Sequence, residues 1–411
     1  MREVTSPSAA VPEASASGIR RRALPVVLIL SMGLGAFPMV TVSALSPYVV
    51  NDLGIGRAAF GAIPTVMFVT AIAASIVVGR TVDHFGPRAV LAALHLIAAT
   101  AVALFATAST WGRLLLGGAI TGLAQAASNP ATNAVIARWI PAKDAGAVVG
   151  LKQSGVPLIQ FAAGAALAPL AAVIGWRAAL LAGSVVILPS LLATLLSVPA
   201  GTSDRPAPGG ARAGMPVELR WLVVATFLVA MAHQAGNIYL PLYAFEVGGA
   251  SASTAGVLGG TVGLVGMVAR ILVGRRMGRD PSPVRVAVLI AAIAALAALG
   301  LLLAPRMGPA VLWVTALLFG ASAFSFNVVG MTVVLRSVER GQVGRASGAV
   351  ATAFFLGFAA GPLVFGSLVD RTGSYASAWS FVAAACVVAT LVGLREMSRS
   401  VRPAVSSRGM A

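Results

Sequence analysis

The sequence predicts an all-α polytopic membrane protein of twelve transmembrane helices arranged as two pseudo-symmetric six-helix bundles, and three observations carry that expectation. Charged residues make up 10% of the 411 and hydrophobic residues 58%, whereas a soluble globule keeps roughly 25% of its residues charged. Twelve apolar runs follow one another along the chain, each near the ~20 residues that a helix needs to cross a hydrocarbon core. The two halves also echo each other. A shift of 195 residues lays Gly61 on Gly256, Gly79 on Gly274 and Arg80 on Arg275, and a shift of 198 lays Gly146, Gly150 and Gly175 on Gly344, Gly348 and Gly373.

In chain order, residues 1–22 read as a disordered cytoplasmic tail rich in Ser, Ala and Pro, closed by Arg20, Arg21 and Arg22. The run that follows is too long for a signal peptide and precedes further spans, so it is expected to remain as an anchor. The first bundle, 23–200, holds apolar runs at 24–50, 58–79, 89–110, 114–137, 147–174 and 178–199. A Pro, Gly and Ala-rich stretch at 201–219 reads as a cytoplasmic linker. The second bundle, 220–395, holds runs at 221–245, 253–274, 284–305, 309–335, 346–369 and 375–394, and 396–411 is a second cytoplasmic tail. The one cysteine, Cys386, leaves no intrachain disulfide.

The net charge of +17 does not point to nucleic acid, because the basic residues are scattered in small groups between apolar spans. They sort by membrane side instead. Twenty-two lie on the side of the chain ends, and five, Arg57, Arg113, Arg177, Arg306 and Arg371, lie on the other, with Lys152 and Arg270 inside spans. The positive-inside bias then predicts a multi-pass protein of the inner (cytoplasmic) membrane with both termini in the cytoplasm.

The polar stretch Gly79 to Arg88, GRTVDHFGPR, separates the second and third runs and reads as a tight turn at one membrane face. Gly79, Asp83, Gly86 and Arg88 resemble the loop signature G-x-x-x-D-(R/K)-x-G-(R/K)-(R/K) of the major facilitator superfamily of secondary transporters. His84 and Pro87 depart from it. Arg113-Leu-Leu-Leu-Gly117 resembles a fourth-helix signature of that family with Leu116 in place of its Gln, and the stretches at 150–157 and 361–373 look like parts of its fifth and eleventh helices. The resemblance covers nearly all of 30–395. It implies two bundles rocking about a site near the midplane, alternately open to each side. It also implies a conformational latch in which Asp83 meets the N-terminus of the eleventh helix, near Arg345 to Ser347, and pairs with Arg138. The second-half copy of the loop has Gly278 where Asp83 has its counterpart, so the latch is expected in the first half alone.

Polar groups inside a membrane are rare and point to function unless a structural partner accounts for them. Thr121, Gln125, Asn129 and Asn133 are spaced by four in the fourth run and predict a polar stripe along the cavity, with hydrogen bonding between helices as the competing reading. His233 and Asn237 share a face of the seventh run. Lys152 and Arg270 sit close to the ends of the fifth and eighth runs, where they are expected either to bind an anion together or to reach for the headgroups. No Asp or Glu lies in the middle of a span, which argues against a buried carboxylate that binds cations. The expected function is therefore secondary transport of a small metabolite, an organic anion, with drug efflux as the alternative and a sensor that does not transport as a further one. No cluster of nucleophile, base and metal ligand appears, so neither an enzyme nor a metal or cofactor site is expected. The expected partners are the lipid bilayer and the small-molecule substrate. The sequence leaves the substrate's identity, the coupling ion, the direction of transport and the oligomeric state open.

Overall fold

The structure, a computed structural model, describes residues 18–201, 219–277, 282–337 and 343–401. The expected tails and linker fall largely outside these residues, as do Gly278 and the side chain of Arg345. The described residues fold into twelve membrane-crossing helices, several of them broken, with no strand among them.

Helix α1 runs in three pieces, Gly18–Leu34, Phe37–Ala44 and Ser46–Leu53, and the first two meet at 57°. The break falls where Gly33 lies against the backbone of Gly155 and Gly35 against the Ser128 hydroxyl, leaving no room for a Cβ at either position. The next helical run, Arg57–Ala106, is broken only at Gly86, whose φ of 78° and ψ of 158° leave the helical region. Its arms are α2 and α3. The predicted loop is thus mostly helix: α2 continues past Gly79 through Phe85, and Pro87 opens α3, where its missing N–H costs nothing.

Helix α4 is Trp111–Trp139. Helix α5 comprises Ala142–Lys152, Gly155–Ala162, a π-turn at Ala163–Leu167 and Ala168–Ile174, and α6 comprises Trp176–Gly183, Ser184–Val186 and Ile187–Ser197. The second half contains α7 (Arg220–Glu246), α8 (Ala252–Met277), α9 (Pro283–Met307), α10 (Pro309–Ser337), α11 (Val343–Thr372) and α12 (Tyr375–Val401). Among the described residues, ten spans are long and apolar enough to cross a bilayer, and the bent α1 adds another. Helix α4 is long enough at 29 residues but is diluted by Gln125, Ser128, Asn129, Thr132 and Asn133. A helix this polar belongs inside a bundle rather than against lipid.

The halves meet through α2 with α11 and through α5 with α8. Where α5 crosses α8, Gly164 lies against Gly256 and Gly260, so backbone approaches backbone, as small residues permit in membrane bundles. The Thr65 hydroxyl donates to the Ala359 carbonyl at 2.6 Å. Beyond it, on the face away from the chain ends, lies a polar seal. The Asp370 carboxylate at the end of α11 accepts from the backbone N–H groups of Arg57 (3.0 Å) and Ala58 (2.8 Å) at the start of α2. The Arg57 guanidinium pairs with Glu246 at 2.6 Å, Tyr375 donates to the same carboxylate at 2.8 Å, and the Tyr239 hydroxyl donates to the Arg57 carbonyl. Toward the chain ends, Gln153 of α5, Arg270 of α8, Met331 of α10 and Phe354 of α11 border a space between the halves. The protein is therefore sealed on one face, and the space between the halves lies on the chain-end side of that seal.

Candidate functional site

Between the halves lies a cavity of about 260 Å³ lined by α1, α2, α4 and α5 from one half and α7, α8, α10 and α11 from the other. None of its described lining residues comes from α3, α6, α9 or α12. His95 on α3 illustrates their role: it is buried and ties α3 to α6, one ring nitrogen 2.7 Å from the Ser190 hydroxyl and the other 2.6 Å from the Leu91 carbonyl.

The predicted stripe on α4 does not act as one surface. A step of four residues advances 400° around a helix of 3.6 residues per turn, a drift of about 40° each time. Thr121 is buried, and its hydroxyl donates to the Gly117 carbonyl at 2.7 Å. Gln125 and Asn129 line the cavity. Asn133 has rotated off the wall and accepts from the Lys152 ammonium at 2.6 Å.

Lys152 and Arg270 are placed differently from each other. Lys152 is 1% exposed and turns into α4 of its own half, donating to Thr132 Oγ1 at 2.8 Å and to Asn129 Oδ1 at 3.3 Å as well as to Asn133. It lies behind the cavity wall rather than in it, and it does not reach for the headgroups. Its effect on the cavity is indirect. Asn129 Oδ1 also accepts from Gln153 Nε2 at 3.3 Å, so the carbonyl end of that amide is occupied and the NH₂ end remains to donate. Arg270, by contrast, lines the cavity and has no ion pair among the described residues. Among the described residues, no Asp or Glu lines the wall around it.

His233 and Asn237, four apart on α7, both line the cavity. Asn237 Oδ1 accepts from Gln160 Nε2 at 2.8 Å across the interface between the halves, and the same Nε2 donates to the Gly259 carbonyl at 2.9 Å. His233 stands edge-on to Phe324, with centroids 4.3 Å apart, and nearly parallel to Phe358 at 5.4 Å. Its Nδ1, like Gln125 Oε1 and Gln160 Oε1, is buried without a hydrogen-bond partner. These orphaned atoms cluster at the cavity, where unsatisfied polar groups mark a site in need of a ligand or water.

The Asp83–Arg138 pair expected of the latch is not among the ion pairs of the described residues. Asp83 is exposed, and Arg138 lies 5.3 Å from the Trp139 ring centroid and beside Gly201. Gly79, Gly86 and Arg88 lie at the kinked end of the α2–α3 hairpin. Sequence reasoning missed two groups. One is the seal of Arg57, Tyr239, Glu246, Asp370 and Tyr375, whose members come from four different helices. The other is the aromatic wall of Phe68, Phe324, Phe354, Phe355 and Phe358. The spacing of Phe354, Phe355 and Phe358 on one side of α11 was a signal, but a chain that is 58% hydrophobic hides it.

The sequence pattern described as the Major Facilitator Superfamily matches residues 26–362. An uncharacterized MFS-type transporter of Mycobacterium tuberculosis is 27% identical over 368 residues, 86% of this chain and 81% of that protein. The nitrate/nitrite transporter NrtP of Picosynechococcus is 30% identical over 103 residues, 25% of this chain and 19% of its own. Among solved structures, a bacterial homolog of the human lysosomal transporter Spinster, in an inward-facing and occupied conformation, superposes with a TM-score of 0.74 at 17% identity, covering 93% of this chain and 98% of that one. The nucleoside transporter NupG gives a TM-score of 0.75 at 16% identity, covering 92% and 99%. Both likenesses are of fold.

Proposed function

The chain belongs to the Major Facilitator Superfamily of membrane transporters, and we propose that it is a secondary transporter carrying a small organic anion across the bacterial inner membrane by alternating access. The observation that carries this reading is Arg270, a cation in the wall of a cavity whose described lining holds no Asp or Glu. A charge withdrawn from water costs several kcal/mol unless something pairs with it. An anionic cargo supplies the missing partner, and the donor ends of Asn129 and Asn237 can complete its hydrogen bonds. NrtP, whose name gives it nitrate and nitrite as cargo, shares the negative charge of this reading but not the organic character, over a match of 25% of this chain.

Mechanistically, the polar seal holds one face shut while the cavity lies on the side of the chain ends, the cytoplasmic side by the charge bias of the loops. Cargo entering from that side meets Arg270 on α8, and the halves then close over it. As they close, Asp83 reaches the N-terminus of α11 and latches the cytoplasmic face, while the Arg57–Glu246 pair and the Asp370 cap release the other. Lys152 acts here as a positioning residue that orients Asn129. The phenylalanine and methionine side chains of the wall also favour a second reading, efflux of larger apolar compounds.

Uptake into proteoliposomes of a labelled panel separates the two. Organic anions should be accumulated or exchanged and should compete with one another, whereas neutral and cationic lipophiles should not. Transport of cationic dyes with no anion exchange would replace the first reading by the second.

A further inference from the structure

Two features of the cavity narrow the cargo beyond its charge. The first is charge stoichiometry. Among the described residues of the wall, Arg270 is the one Lys or Arg, because Lys152 is committed to Asn129, Thr132 and Asn133 behind it. A second carboxylate on the cargo would be desolvated in a site with no second cation to meet it, a costly arrangement in a poorly polarisable interior.

The second feature is the character of the remaining wall. His233 is held between Phe324, 4.3 Å away and perpendicular, and Phe358, 5.4 Å away and tilted by 20°. Phe358 in turn meets Phe354 at 4.2 Å and Phe68 at 5.0 Å. Rings from α2, α7, α10 and α11 thus form one continuous surface in the same cavity as the guanidinium. Flat rings offer edges and faces that suit another ring, in offset or edge-on geometry. A bare oxyanion would leave that surface uncovered and gain only the Arg270 contact.

Resting on the anion reading above, we infer that the cargo is a monocarboxylate built on an aromatic ring, with the carboxylate on Arg270 and the ring among His233, Phe324 and Phe358. The cavity takes neither dicarboxylates nor inorganic oxyanions as its preferred cargo. Its orphaned acceptors, Gln125 Oε1 and Gln160 Oε1, add a place for a hydroxyl or amino substituent after a modest side-chain rotation.

The test is binding to the purified full-length protein in nanodiscs, using phenylacetate, phenethyl alcohol, hexanoate, homophthalate and nitrate as probes. Phenylacetate should bind about 10-fold or more tighter than each of the others, a difference near 1.4 kcal/mol. Arg270→Gln should reduce phenylacetate to the level of the alcohol, while Arg270→Lys recovers part of the loss and shows that the site is still folded. Phe358→Leu should weaken phenylacetate about 5-fold and leave hexanoate within about 2-fold, as expected for an aromatic pairing beyond simple burial. Equal binding of phenethyl alcohol and phenylacetate would overturn the anion reading itself. Equal or tighter binding of hexanoate, homophthalate or nitrate would leave the anion reading standing and overturn the aromatic monocarboxylate, as would the absence of phenylacetate binding while another anion binds.

Discussion

Replacing Glu246 by Gln should open the face away from the chain ends. Glu246 sits on α7 and Arg57 on α2, so their pair crosses between the halves and must part when that face opens. The guanidinium contacts the carboxylate through two nitrogens, Nη2 at 2.6 Å and Nε at 3.3 Å, and the Glu246 side chain is only 15% exposed. Hydrogen bonds to charged groups are worth about 1.5–3 kcal/mol, but the Arg57 side chain is 34% exposed and the separated pair regains water. Solvent screening therefore reduces the net contribution to about 1–2 kcal/mol. At 1.4 kcal/mol per factor of ten, Glu246→Gln should shift the closed-to-open ratio of that face by about 5- to 30-fold. Spin labels at Ser109→Cys and Met307→Cys, exposed positions on that face from opposite halves, would report the separation by pulsed dipolar spectroscopy in a Cys386→Ala background. The variant should gain a population at longer distance, and Glu246→Asp should gain less of it. An unchanged distance distribution in Glu246→Gln would show that this pair does not hold the seal.

Three further outcomes follow from the same geometry. Asp83→Asn should favour the state open toward the chain ends by about 0.3–1 kcal/mol, the worth of a carboxylate at a helix N-terminus; unchanged dipolar distances across that face during transport would remove the latch from the account. Lys152→Gln, which breaks a buried set of three hydrogen bonds, should destabilise the protein by about 1–3 kcal/mol in thermal unfolding and weaken cargo binding less than Arg270→Gln does. Equal losses of affinity in the two variants would mean that Lys152 touches cargo. Ser190→Ala should cost about 1 kcal/mol or more by leaving a His95 ring nitrogen unpaired while transport per folded molecule stays at the wild-type level.

Much of the architecture was legible because hydrophobic length alone dictates spans. The twelve runs became twelve helices, and even the polar α4 was placed correctly because its flanks are apolar. Where the reading failed, the missing quantity was three-dimensional. The polar stretch at 79–88 looked like a loop, yet only Gly86 leaves helical geometry, because hydrophilic residues at a membrane face can stay helical in water. Positions 121, 125, 129 and 133 looked like a stripe, but their drift carries the first onto its own backbone and the last toward Lys152. Lys152 and Arg270 looked equivalent by depth. Rotation about their helices separates them, and depth in a span says nothing about rotation. Asp370 lay in a recognisable stretch of the eleventh helix, but its role as the cap of α2 requires a partner 313 positions away.

The central claim is that Arg270 holds the carboxylate of the cargo in the cavity between the halves. Crystals of the protein grown with a bromobenzoate and measured at the bromine absorption edge test it most directly. The account predicts anomalous density beside Phe324 and Phe358, with the carboxylate about 2.7–2.9 Å from the Arg270 guanidinium, as charged pairs of this kind require. Bromine located outside the cavity, or a carboxylate bound at Lys152 with Arg270 unengaged, would contradict it.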